Sequence, residues 1–184
     1  RFIGPPLHES YEKFYSFSRE QAIQAVSYYR EYYEEKGMFE NEVYPGIKEL
    51  LRVLTKQGIL CLVATSKPEI YAKKILDYYK LRTYFHYIAG ANMDGTRTDK
   101  AEVIAYALKQ IPAEYNNKKI LMVGDRSHDI IGAKKNGIDC AGVLFGYGSR
   151  QELEEAGADF VADSVEAVRN IILLDTAMTV SYTH

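Results

Sequence analysis

Asp125 and Asp129 stand four residues apart in Gly124-Asp-Arg-Ser-His-Asp-Ile130, a spacing that lets two carboxylates converge on one hard cation. The apolar run Ile120-Leu-Met-Val123 precedes them and Ile130-Ile-Gly-Ala133 follows, which puts one acid at a strand end and the other at a helix start. Magnesium takes a few oxygen ligands and keeps several waters, so an acidic pair at a strand rim suits it. A turn aspartate followed by a helix-capping aspartate accounts for the same residues without a metal. A second group is Thr65-Ser66-Lys67-Pro68, between the apolar run Ile59–Ala64 and a helix that opens at a proline. A hydroxyl there, with the unpaired N–H groups of the helix start, can hold phosphate oxygens; a plain helix cap is the alternative. The third is Lys100, at the mouth of a helix that begins near Asp99. A cation at the positive end of a helix is locally unfavourable, so it invites an anionic partner such as a phosphoryl group, unless it is simply solvated.

The elements that must position these groups follow from apolar periodicity. Residues 1–42 read as helices only: Pro5 and Pro6 suit a turn leading into Leu7–Tyr15, and a second helix opens at Ser18, capped with Gln21 reaching back, and closes at Gly37. Its apolar face is Ala22, Ala25, Val26, Tyr29 and Tyr33. From Tyr44-Pro45-Gly46 helix and strand alternate: a helix carrying Ile47, Leu50, Leu51 and Leu54, then the strand Ile59–Thr65, then a helix from Pro68 to about Tyr79. A strand near Tyr87–Gly90, a helix from about Asp99 to Gln110, the strand Ile120–Val123 and a short helix Asp129–Asn136 come next. The strand Cys140–Phe145, a helix capped by Ser149 with Glu152, the strand Asp159–Ala162 and a helix from Ser164 complete the set. Strands that are apolar throughout imply a parallel sheet covered on both faces, a doubly wound α/β fold with a small helical cap. In such a sheet ligands bind beyond the carboxyl ends of the strands, so the three candidate groups share one rim. The expected division is a helical cap over 1–42, an α/β core over 43–174, and an irregular tail of foreign origin over 175–184, which follows neither period.

The formal net charge of −2 on 184 residues provides no broad attraction for nucleic acid or an anionic membrane. No apolar run approaches the roughly 20 residues of a membrane span, and Arg1–Glu12 lacks the apolar centre of a signal peptide, so a cytoplasmic protein is expected. Cys61 and Cys140 lie inside apolar runs and read as buried, reduced thiols.

Hydroxyl, lysine and paired acids, in that order at successive rim positions, resemble motifs two, three and four of the haloacid dehalogenase superfamily. The stretches Phe2-Ile-Gly-Pro-Pro-Leu7, Ala64-Thr-Ser-Lys-Pro68, Val123-Gly-Asp-Arg-Ser-His-Asp-Ile130 and Gly146-Tyr-Gly148 look most like its phosphoglycolate phosphatase and 5′-nucleotidase branch. The resemblance implies that Thr65 and Ser66 bind phosphate, that Lys100 stabilises the nucleophile and the phosphoryl charge, and that Asp125 and Asp129 hold Mg2+. It further implies a small phosphomonoester as substrate, an aspartyl-phosphate intermediate, and substrate selection by the cap, with Gly4, Pro5, Pro6 and Tyr11 as candidates. The family's first motif, Asp-x-Asp-Gly-Thr on a central strand, supplies the nucleophile and general acid, and nothing before Gly4 matches it. Asn92-Met-Asp-Gly-Thr96 starts with Asn, lies between motifs two and three, and is read as a turn. The chain is therefore expected to be an amino-terminally truncated member, inactive alone and poorly soluble because two sheet edges lie open. A sugar phosphomutase on the same scaffold and a non-catalytic chain are the alternatives; the oligomeric state is not indicated.

Overall fold

Parallel strands buried on both faces need helices on both sides, and the alternation after Tyr44 supplies them. The computed structural model describes residues 7–180, with side chains described to residue 174. Two helices, α1 (Leu7–Tyr15) and α2 (Arg19–Glu35), form an antiparallel hairpin, and a 3-10 turn at Gly37–Phe39 leads out of it. The core follows as α3 (Ile47–Lys56), β1 (Leu62–Pro68), α4 (Glu69–Tyr78), β2 (Tyr87–Ala91) and α5 (Lys100–Leu108). It continues as β3 (Leu121–Gly124), α6 (Ser127–Lys135), β4 (Asp139–Val143), α7 (Arg150–Glu155), β5 (Phe160–Ala162) and α8 (Val165–Val180).

All five strands are parallel to their neighbours, but they form two sheets rather than one: β1 pairs with β2, and β3, β4 and β5 pair in that order. Three clusters fill the space under the helices. Leu50, Leu54, Val143, Ala162 and Val168 join α3 and α8 to the end of the larger sheet, and Ile130, Ala133, Cys140 and Leu153 join α6 and α7 to β4. Ala89, Val103 and Ala107 seat α5 on β2, and α5 also packs on β1 and on α6, which in turn packs on the larger sheet.

Burial along the strands runs opposite to expectation for a continuous sheet. Strands β2 and β4 are buried along nearly their whole length, whereas β1 and β3, which lie towards the split, are only half-buried and Val123 is 37% exposed.

The hairpin is fastened to α4, the helix that leaves the Thr65 rim. The Tyr71 hydroxyl donates to Glu34, Tyr33 meets Tyr71 edge-on at 5.5 Å, Phe39 packs on Tyr78 at 4.6 Å, and Tyr79 donates to the Asn41 carbonyl. The expected capping box of Ser18 and Gln21 is present.

Three expectations change. The strand placed at Ile59–Thr65 begins later and runs through Thr65, Ser66 and Lys67 to Pro68, with its register on β2 slipping between Ala64 and Pro68. Polar residues at a rim hid its end. The helix expected at Asp129 starts at Ser127, so Asp129 lies inside the first turn. Residues 175–180, expected to be irregular, continue α8: no Gly or Pro interrupts the sequence from Val165 to Val180, and a started helix propagates in the absence of a breaker.

Candidate active site

Lys100 opens α5 as its first helical residue, behind Asp99, whose carboxylate caps the helix by accepting the Ala101 N–H at 2.9 Å. Its Nζ donates to the Ala64 carbonyl of β1 at 3.1 Å and pairs with Asp129 Oδ1 at 2.9 Å. The two side chains are 14% and 9% exposed, so the charges are mostly removed from water. The anionic partner demanded by a lysine at a helix N-terminus is thus Asp129, and one ammonium ties the end of β1 to the first turn of α6.

Both oxygens of Asp129 are engaged within the protein. Its Oδ2 accepts the backbone N–H groups of Asp125 (3.0 Å) and Arg126 (3.2 Å), while Oδ1 takes Lys100. Of the two expected metal ligands, Asp129 is the more heavily engaged, anchoring the turn, and Asp125 makes fewer contacts within the protein. Asp125 Oδ2 accepts the Tyr147 N–H at 2.8 Å; its second oxygen has no partner among the described residues. The loop that grips it must be glycine: a Cβ on Gly146 would lie 2.3 Å from Asp125 Cβ, and one on Gly148 would lie 2.2 Å from the Asp125 carbonyl oxygen.

The turn is also held from α7. Glu152 Oε1 accepts the Ser127 N–H at 2.8 Å and Arg126 Nε at 2.9 Å. These bonds, the Ser127 amide foremost and outweighing partial desolvation, hold the Glu152 carboxyl down at about 2. Sequence reasoning saw Glu152 only as the partner of the Ser149 cap, a bond that is present at 3.1 Å. Its longer reach leaves no signal in spacing. Arg126 is tied to Glu152, whereas His128 is exposed.

On the other sheet, Thr65 and Ser66 occupy the slipped stretch of β1, where irregular pairing re-aims side chains. Thr65 does not cap α4, whose N-cap is Pro68 without a side-chain bond; its hydroxyl accepts the Lys67 N–H at 3.2 Å. Gly90 of β2 presses on this stretch, since a Cβ there would lie 2.6 Å from the Lys67 carbonyl oxygen. Lys67 is exposed overall, yet desolvation first and the Lys100 charge second hold its ammonium below the usual lysine value. A second lysine beside Lys100 was not singled out from the sequence, although it stood in the stretch that was.

Tyr11 stacks on Phe17 at 5.9 Å and lies against Tyr15 at 6.0 Å, in an aromatic cluster of the hairpin. Gly4, Pro5 and Pro6 lie outside the described residues. Asn92-Met-Asp-Gly-Thr96 is a turn, closed by the Thr96 N–H donating to Asp94 at 2.9 Å with Gly95 at φ +87°.

Among the described residues no three His, Cys, Asp or Glu side chains converge to cage a metal ion. A largely hydrated magnesium needs only one or two carboxylates, and Asp125 with its spare oxygen fits that demand. No helix among the described residues is long and apolar enough to cross a membrane.

The chain as a whole is similar to known proteins. The 5′-nucleotidase of Pseudomonas aeruginosa is 39% identical over 173 residues, 93% of this chain and 76% of that protein. Tyrosine-protein kinase PtkA of Mycobacterium tuberculosis is 36% identical over 92% of this chain, which spans 58% of the kinase. The structure of a predicted phosphatase from Clostridium acetobutylicum superposes with a TM-score of 0.83 at 44% identity, covering 94% of this chain and 79% of that one. A model described as haloacid dehalogenase-like hydrolase matches residues 1–143, which take in the hairpin, Thr65, Lys100, Asp125 and Asp129. With a family model matched over residues 1–143 and relatives of this identity and coverage, the chain belongs to the haloacid dehalogenase-like hydrolase family.

Proposed function

We propose that this chain carries the phosphate-holding and charge-neutralising side of a magnesium-dependent phosphomonoesterase. The substrate would be a small phosphorylated metabolite such as phosphoglycolate or a nucleoside 5′-monophosphate. The observation that carries this reading is the position of Lys100 Nζ, in contact with the Ala64 carbonyl next to Thr65 and with Asp129 next to the Asp125 turn. Thr65, Ser66 and the rim N–H groups orient the phosphoryl oxygens, and Lys100 with Lys67 offsets their charge. Asp125 holds the magnesium, which when bound neutralises charge developing on the phosphoryl group. Asp129 keeps Lys100 and the turn in register.

The two open edges of β1 and β3 support one further element: a strand parallel to both, with a carboxylate at its carboxyl end. Its carboxylate oxygen would attack phosphorus as the ester oxygen leaves with a proton, and water would then release phosphate from the acyl phosphate. The hairpin would exclude water and select the leaving group.

The test is phosphate release from p-nitrophenyl phosphate, phosphoglycolate and a panel of 5′-mononucleotides, with and without Mg2+, on the protein expressed with its upstream coding sequence. Magnesium-dependent release that disappears in Asp125→Asn is expected. The PtkA likeness favours one second reading, transfer to tyrosine; phosphate moving from ATP to a tyrosine peptide with none released to water would overturn the hydrolase reading. Transfer from a bisphosphate to a sugar would instead mark a phosphomutase.

A further inference from the structure

The amides of the acidic turn are all accounted for by two carboxylates, and only one of these belongs to the turn's own helix. Asp125 and Arg126 donate to Asp129, and Ser127 donates to Glu152 of α7. Arg126, at the N-cap of α6, supplies no side-chain cap, so without Glu152 the first amide of that helix would have no acceptor in this arrangement. Glu152 is itself fixed. Ser149 caps its helix, and the next residue, Leu153, is fully buried against Gly142, where an added Cβ would lie 2.8 Å from the leucine. A Cβ on Gly148 would lie 2.2 Å from the Asp125 carbonyl oxygen and 3.6 Å from Glu152 Oε2, so the glutamate, the glycine loop and the Asp125 backbone meet at one place.

We propose that Glu152 is a positioning residue that fixes the Asp125 carboxylate for its cation, by holding the Ser127 amide and the Arg126 guanidinium from a different helix. The proposal rests on the magnesium reading above and deepens it. Partners that orient a metal ligand through a second contact change affinity about 10–100-fold when removed, without touching the metal themselves. A residue that merely caps a helix would change stability and leave affinity alone.

The experiment is a Mn2+ titration followed by electron paramagnetic resonance, run on the wild-type chain, Glu152→Ala, Glu152→Gln and Ser149→Ala, with melting midpoints and the Ser127 amide proton shift recorded for each. Glu152→Ala should weaken Mn2+ binding about tenfold and move the Ser127 amide upfield. Glu152→Gln keeps an acceptor oxygen and should restore both readouts to near wild type. Ser149→Ala loosens α7 by its cap alone and should lower the midpoint with little change in affinity. Wild-type affinity in Glu152→Ala, or equal weakening in Ser149→Ala, would sink the proposal. Absence of Mn2+ binding by the wild type overturns the magnesium reading and this inference with it. In that case the amide shift still reports whether the clasp exists, which separates the two failures.

Discussion

The two halves of the rim are prepared to different degrees. On the side of β3, β4 and α6, three backbone amides and the Asp125 and Asp129 carboxylates are engaged before any ligand arrives, and a glycine loop closes over them. On the side of β1 and β2, the strand slips its register, the Thr65 hydroxyl accepts its neighbour's amide, and desolvation first and the Lys100 charge second hold the Lys67 ammonium below the usual lysine value. The acid half is preorganised, so a cation finds its ligand already aimed. The hydroxyl half holds positive charge that, on the proposed function, the phosphoryl group of the substrate would relieve. Lys100 belongs to both and couples them.

That coupling gives the largest expected effect. Lys100→Met leaves Asp129 buried without its cation and should lower unfolding free energy by about 3–5 kcal/mol in urea titrations, besides abolishing phosphate release. A loss below about 1 kcal/mol would mean the halves are independent. Next, Gly148→Ala forces a Cβ onto the Asp125 carbonyl and should cost about 1–3 kcal/mol and weaken Mn2+ binding. Gly90→Ala, equally crowded at 2.6 Å but on the other sheet, should cost a similar amount and leave Mn2+ affinity unchanged. Equal effects on affinity would erase the distinction between the halves.

A smaller effect comes from pH. The Glu152 carboxyl sits at about 2, below the ordinary glutamate value of 4.5, so its contribution is complete above that ordinary value and is lost as pH falls through the folded one. With the side chain 27% exposed, about 1–2 kcal/mol should disappear between roughly pH 4.5 and pH 2, seen as a steeper fall in melting midpoint than in Glu152→Gln. The smallest effect on stability belongs to Thr65→Val, about 1 kcal/mol or less. The same change should weaken phosphate binding about tenfold, the difference made by one hydrogen bond to a charged oxygen.

The order of elements was legible because its signals are local. The Ser18 and Ser149 caps, the turn at Asp94-Gly95 and the apolar strand cores each need only a few consecutive residues to declare themselves. The rim was legible in composition but not in wiring. Thr65 looked like a cap because a proline follows it, although the strand runs on to that proline. Asp125 and Asp129 looked equivalent, since only tertiary contact reveals that Lys100 and two amides engage the second acid. Glu152 lies 25 residues from Ser127, and no periodicity spans that distance.

The split between the sheets has a consequence for amide hydrogen exchange. In a parallel strand with one neighbour, alternate N–H groups face the partner and the open side, so protection should ripple with a period of two residues. Among the described strands only β4 has neighbours on both sides, and it alone should show continuous protection. If a strand docks between β1 and β3, their ripple should vanish while those of β2 and β5 persist. Exchange would then register the insertion strand by strand, even with no substrate present.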